Sequence, residues 1–217
     1  MARLRTAVLI SGSGTNLQAL MDAASDPTYP AEIVLVISNA ADAFGLERAR
    51  RGGIPARVIV HKDYANREDF DAALHEALTD AGCECVCLAG FMRILTAGFV
   101  KQWRGQMINI HPSLLPAFRG LAAQAQALSA GVRISGATVH FVVPEMDAGP
   151  IIVQGAVPVL PGDDTATLSR RIQTVEHRIY PLALRLIAEG RVGITTPWTG
   201  AMPSDTDRSL LSPDDCP

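Results

Sequence analysis

The sequence predicts an α/β protein: a Rossmann-like, mostly parallel sheet with helices on both faces and an antiparallel C-terminal extension. Three observations carry that expectation. Short, nearly continuous apolar runs read as strands buried on both faces. They alternate with stretches whose apolar residues recur at helical spacing. In the second half the pattern changes to alternation interrupted by a Pro- and Gly-containing turn, which reads as a hairpin.

The elements follow in order. Thr6 to Ser11 is a buried strand, and Asn16 to Ala24 a helix with Leu17, Leu20 and Met21 on one side. Glu32 to Ser38 is a second strand, followed by a helix through Gly45–Arg51, and Ala56 to Val60 a third strand. Arg67 to Ala81 forms a longer helix with Phe70, Leu74 and Leu78 along one face. Cys85 to Ala89 and Met107 to His111 are the fourth and fifth strands. Gly136 to Val143 alternates like a strand with one exposed face, Pro144 to Gly149 turns, and Ile151 to Val159 returns antiparallel. Thr165 to Glu189 is one long amphipathic helix in which Pro181 is a potential kink. Residues 1–194 are expected to form one domain, and 195–217, with their Pro, Ser, Asp and Gly, a poorly ordered tail.

The 217 residues, 48% hydrophobic, suffice for a substantial core. A formal charge of −3 gives no basic surface, so no nucleic-acid partner is expected, whereas a small anion needs only a few local donors. The apolar stretch from Ala7 to Ile10 is too short for a secretory segment, and no run is long enough to span a membrane. The expected location is therefore cytoplasmic, without a membrane partner. Cys83, Cys85 and Cys87 alternate and would share one face of a strand; without a CxxC pair they read as packing thiols, and no metal site is expected.

The chemistry concentrates where strands end, which is where open parallel sheets bind ligands. Ser11-Gly-Ser-Gly-Thr-Asn16 joins the first strand to the first helix. Its glycines permit a tight bend, Ser13, Thr15 and Asn16 offer donors, and the helix N-terminus favours an anion such as a phosphate monoester. It lacks the Lys of a Walker loop and the third Gly of a dinucleotide loop, so a plain Gly-rich turn is the bland alternative. In Met107-Ile-Asn-Ile-His-Pro-Ser-Leu-Leu-Pro116, Asn109 and His111 face the same way on a strand. Convergent polar groups at a strand exit favour function over a mere turn cap. Asp147, in the turn after the sixth strand, either bonds its own backbone or folds back toward His111. The remaining histidines, including His140, are expected to be mostly surface or packing residues.

The string Ile108-Asn-Ile-His-Pro-Ser-Leu-Leu-Pro116 resembles the signature of the folate-dependent formyltransferases. Further stretches are similar to the branch that acts on glycinamide ribonucleotide: Leu9–Ala19, Ala41–Arg50, Leu88–Leu95 and Ile172–Pro181. The likeness runs in order over roughly residues 5–190 and implies the formyltransferase fold.

By that resemblance Asn109, His111 and Asp147 would be catalytic, and 10-formyltetrahydrofolate the co-substrate. Ser13, Gly14, Thr15 and Asn16 would hold the ribonucleotide phosphate, while Gln173 and Glu176 line the rest of that site near the glycyl amine. Met92, Arg93, Ile94 and Leu95 would bind the pterin, closed on its other side by Val142 and Val143 within the loop to Asp147. The family mechanism is direct formyl transfer to an amine through a tetrahedral intermediate, with no metal. Partners would be small molecules, and the chain a monomer or a homodimer. One stretch departs from the family pattern: Ala122 and Gln124 stand where histidines are common, and Arg119 where proline is usual. That departure keeps a non-catalytic folate- or nucleotide-binding homologue in play, and a formyltetrahydrofolate hydrolase is the alternative enzyme.

Overall fold

The computed structural model describes residues 2–196. Its first half alternates strand and helix: β1 (Leu4–Ile10), α1 (Thr15–Ala24), β2 (Ala31–Ser38), α2 (Phe44–Arg51), β3 (Ala56–Val58), α3 (Arg67–Asp80) and β4 (Cys85–Leu88). Then follow α4 (Ala97–Gln102), β5 (Met107–His111), α5 (Ala123–Ser129), β6 (Ile134–Phe141), β7 (Ile151–Pro158) and α6 (Thr165–Ala188). The seven strands form one sheet in the order β3-β2-β1-β4-β5-β6-β7. β1 to β5 pair in parallel, and β6 and β7 are added antiparallel, as the sequence predicts. The strand order reverses at β1, whose neighbours are β2 and β4. A crevice opens at such a reversal, outside the carboxyl ends of the strands.

Alternation of side chains along the buried strands feeds two cores. Val8 and Ile10 of β1 face one cluster with Leu17 and Leu20 of α1 and Leu168, Ile172, Ile179 and Leu184 of α6. Ala7 and Leu9 face the other, with Phe70, Leu74 and Leu78 of α3, Phe99 of α4 and Trp103 at its C-cap. The sheet is thus covered on both sides, which is why β1, β2 and β4 read as nearly continuous apolar runs. The long α6 is capped by Asp164, whose carboxylate accepts from Thr167 N–H while Thr167 Oγ1 accepts from Asp164 N–H in return, a capping box. It continues through Pro181. Its fully buried Tyr180 donates to the carbonyl oxygen of Leu88 at 2.9 Å, tying the helix to the carboxyl end of β4.

Several expectations need correction. β3 has three residues and ends at Val58, because it is an edge strand with one neighbour and no buried side chain. Cys85 and Cys87 share the first cluster, but Cys83 precedes β4 and packs against the second. β6 runs from Ile134 and has no exposed face beyond its first residue. Its polar positions are covered by the 112–118 segment: Thr138 Oγ–H donates to Ser113 O at 2.7 Å and accepts from Leu115 N–H at 3.0 Å. Val142 and Val143 therefore lie past the strand, on the way to Asp147. The helices α4 and α5 are additional to the predicted elements, being six and seven residues long and too short for a periodic signal. The tail expectation falls on 195–217, of which everything beyond 196 lies outside the described residues.

The antiparallel addition depends on close packing against α6. A Cβ built on Gly155 would stand 2.1 Å from Val175 Cγ1. Gly155→Ala is expected to destabilise the protein by about 1–3 kcal/mol through overpacking, read as a lowered urea midpoint with an unchanged slope.

Candidate active site

One cavity of about 910 Å³ lies at the carboxyl ends of β1, β4 and β5. Its wall contains every residue to which the resemblance assigns a role: Ser13, Gly14, Thr15, Asn16, Met92, Arg93, Ile94, Leu95, Asn109, His111, Val142, Val143, Asp147, Gln173 and Glu176. A second depression of about 680 Å³ sits at the opposite, amino ends of the strands, lined by Arg3, Arg5 and Glu32. There Arg3 and Arg5 are committed to the carbonyl oxygens of Ala31, Gly82 and Ala81.

The Gly-rich loop presents amides to the cavity because its carbonyls are turned away. Gly12 O accepts from Gly45 N–H at 3.0 Å, and Ser13 O from Arg48 Nε–H at 2.9 Å. Among the described residues, the N–H groups of Gly12 to Asn16 have no backbone acceptor. Gly14 is the N-cap of α1 with φ 69°, and a Cβ there would meet Gly45 Cα at 2.7 Å. Only glycine fits that conformation at that separation. Unpaired amides at the N-terminus of a helix of ten residues form an anion cradle. α6 lies across it: Gln173 Nε2–H donates to Thr15 Oγ1 at 2.9 Å, and Asn16 Nδ2–H to Glu176 Oε2 at 2.9 Å. The Asn16 side-chain oxygen is buried without a partner.

Asn109 and His111 are adjacent on one face of β5, opposite His140 and Thr138 of β6. His140 Nδ1–H donates to its neighbour's carbonyl, Phe141 O, at 2.9 Å. A carbonyl only accepts, so a neutral ring carries its hydrogen on Nδ1, leaving Nε2 as an acceptor for Asn109 Nδ2–H at 3.3 Å. Burial depresses the His140 pKa, with the Phe141 carbonyl and Asp147 opposing. The 3.8 Å approach of Asp147 Oδ1 to this ring is therefore a contact with a neutral imidazole and not an ion pair. His140 sets the rotation of the Asn109 amide, so its second N–H and its oxygen are left for the cavity. Reading by residue type missed His140; its signal was the position it shares with Asn109 across the β5–β6 pair.

His111 is 5% exposed. Its Nε2–H donates to Phe118 O at 2.8 Å, and its Nδ1 faces Asp147 Oδ2 at 3.5 Å. Asp147 has φ 51°, a left-handed conformation that costs a non-glycine residue roughly 1 kcal/mol and is least uncommon for Asn and Asp. Its Oδ2 accepts from Gly120 N–H at 2.8 Å, so it bonds the neighbouring loop and not its own turn. The segment that departs from the family pattern thus meets Asp147 through a backbone amide, which needs no histidine. Gln126 holds that segment through the carbonyls of Arg119 and Leu121. Ala122 lines the cavity as the left-handed N-cap of α5, and Gln124 lies beside it. Arg67, at the first position of α3, also reaches the cavity and was not singled out from sequence.

The chain matches the formyl transferase family over residues 4–184. The chain belongs to this family. Within it, phosphoribosylglycinamide formyltransferase of Escherichia coli (strain K12) is 46% identical over 85% of this chain and 87% of its own length. The trifunctional purine biosynthetic protein adenosine-3 of Gallus gallus is 55% identical over 88% of this chain, which spans only 19% of that longer protein. Among solved structures, glycinamide ribonucleotide transformylase 1 from Symbiobacterium toebii superposes with a TM-score of 0.85 at 54% identity, covering 87% of this chain and 89% of that one.

In this formyl transferase Glu176 is a buried carboxylate facing no cation at ion-pair distance among the described residues. Burial raises its pKa above the usual 4.5, with the Asn16 hydrogen bond and His111 opposing. A carboxyl raised on folding supports stability below its unfolded pKa and loses it as pH rises through the folded value. Glu176→Gln, which cannot ionise, is expected to unfold with the wild type near pH 4 and later than it near pH 7. Thermal unfolding at both values checks this; a variant that loses ground as pH rises contradicts it. Among the described residues no group of three or more His, Cys, Asp or Glu is placed to hold a metal ion. No described helix is long and apolar enough to cross a membrane.

Proposed function

We propose that this protein transfers the formyl group of 10-formyltetrahydrofolate to the glycyl amine of glycinamide ribonucleotide, in purine biosynthesis. Residues 1–194 act as one formyltransferase domain, in a cytoplasmic enzyme working on small molecules. The convergence of Asn109, His111 and Asp147 between an anion cradle and an apolar-edged segment in one cavity carries the reading. The names of the relatives support the same substrates.

Gly14, Thr15 and Asn16, with Ser13, receive the phosphate on their amides, and Gln173 and Glu176 line the ribose and amine side. A carboxyl buried with no cation at ion-pair distance among the described residues suits a cationic ligand group, and the glycyl ammonium supplies one. Segment 92–95, with Val142 and Val143 opposite, takes the pterin. The ammonium first gives one proton to solvent, because only the neutral amine can attack. Its nitrogen then forms a bond to the formyl carbon, and the formyl oxygen becomes an oxyanion. The free N–H of Asn109 and a proton on His111 Nδ1 are the donors for that oxygen. Asp147 stabilises the imidazolium and relays the proton lost by the amine toward the departing folate nitrogen as its bond to carbon breaks. No step asks for a metal, because N–H donors meet the developing charge. Holding both reactants in one cavity supplies much of the remaining acceleration.

A steady-state assay tests the reading. Tetrahydrofolate should form only when glycinamide ribonucleotide is present. Release without the ribonucleotide would instead mark a hydrolase, and two bound ligands without turnover a non-catalytic homologue.

A further inference from the structure

Segment 91–95, which leads from β4 to α4, has few fastenings. Among the described residues none of its members takes part in a backbone–backbone hydrogen bond. Met92 and Ile94 are 66% and 55% exposed, while Phe91 and Leu95 lean on the second core cluster. What holds its backbone are side chains from elsewhere. At the far end, the buried Asp71 of α3 accepts from Thr96 N–H at 2.7 Å. At the near end, Met92 N–H donates to Ser11 Oγ at 2.7 Å.

Ser11 is also the first residue of the Gly-rich loop. Its hydroxyl donates to Asn39 Oδ1 at 2.6 Å, and Asn39, beyond the end of β2, is 5% exposed. The hydroxyl's one hydrogen is therefore taken up inside the protein while one of its lone pairs serves Met92, so Ser11 joins the loop to segment 91–95. The carbonyl oxygens of Gly12 and Ser13, next along the loop, accept from α2, and their amides are left for a ligand. A ligand that fixes the loop amides fixes Ser11, and with it the amide of Met92.

We propose that Ser11 couples the two halves of the cavity: an anion on the Gly-rich loop orders segment 91–95 and so prepares the folate side. The inference rests on the substrates proposed above. The ordering cost of the segment falls on whichever ligand binds first, and the second binds tighter without any new contact of its own. Ser11 is a positioning residue in this account and touches neither reacting atom.

The test uses tetrahydrofolate, which carries no formyl group, so that both ligands can be held together without reaction. Its dissociation constant is measured by calorimetry with and without saturating glycinamide ribonucleotide. Tetrahydrofolate should bind at least about 5-fold tighter with the ribonucleotide present, within the usual range of coupling between sites. The ribonucleotide should gain the same factor from tetrahydrofolate, as linkage requires. Ser11→Ala should bring the ratio close to one, and Ser11→Thr, which keeps the hydroxyl, should restore it. A purely structural loss would weaken binding without removing the ratio. Independently of any variant, the ribonucleotide alone should slow amide exchange over 91–95 in the wild-type protein. A wild-type ratio of one with both ligands bound, an undiminished ratio in Ser11→Ala, or unchanged exchange overturns the inference alone. Failure of the wild-type protein to bind either ligand overturns it together with the functional reading.

Discussion

His111→Ala is expected to lower kcat for formyl transfer by on the order of 10²–10³-fold, the usual effect of removing one oxyanion donor, with KM for both substrates changed only a few-fold. The expectation follows from where the ring is fixed. Phe118 O holds Nε2–H, so Nδ1, facing Asp147 at 3.5 Å, is the nitrogen left for the reaction. A ring anchored this way is pre-organised and costs no reordering at the transition state. Asn109→Ala should lose a similar factor. Combining it with His111→Ala should cost less than the product of the two, because both donors serve one oxygen. Rapid-quench single turnovers would separate this loss in the chemical step from any change in product release.

Asp147→Asn is expected to slow transfer far more than it weakens folate binding. The amide keeps an oxygen for Gly120 N–H, now 2.8 Å from Oδ2, so the turn can hold its position. What it removes is the negative charge beside His111 Nδ1 and the capacity to relay a proton. Wild-type-like affinity for tetrahydrofolate with a fall in kcat of about 10²-fold or more, on the scale of general acid–base catalysis, is the expected pattern. Equal losses in binding and turnover would reduce Asp147 to a loop fastener.

The sheet was legible where its physics is local. Thr6–Ser11 and Glu32–Ser38 are apolar runs because both faces are covered, and α3 and α6 show apolar faces long enough to be periodic. The placing of Asn109 and His111 on one face follows from the two-residue repeat of a strand. Long-range placements were not legible. That Asp147 meets His111 and not its own turn depends on β6 pairing beside β5 and on the amide of Gly120, 27 positions away in sequence. His140 looked like a packing residue because only the β5–β6 register sets it against Asn109. Ser11 was visible as part of a Gly-rich loop, but its hydroxyl serves Met92, 81 positions along the chain. The α5 stretch, Ala-Gln-Ala-Gln-Ala, carries helix formers without an apolar stripe, so only the fold defines its start at Ala123, after the N-cap Ala122.

The central claim is that the formyl group passes directly from folate to the ribonucleotide amine. The most direct measurement follows a carbon-13 label in the formyl group of 10-formyltetrahydrofolate, in the presence of glycinamide ribonucleotide, by mass spectrometry of the products. The account predicts one labelled formyl group on the ribonucleotide for each tetrahydrofolate released. Label recovered as free formate, with the ribonucleotide unmodified, would contradict it.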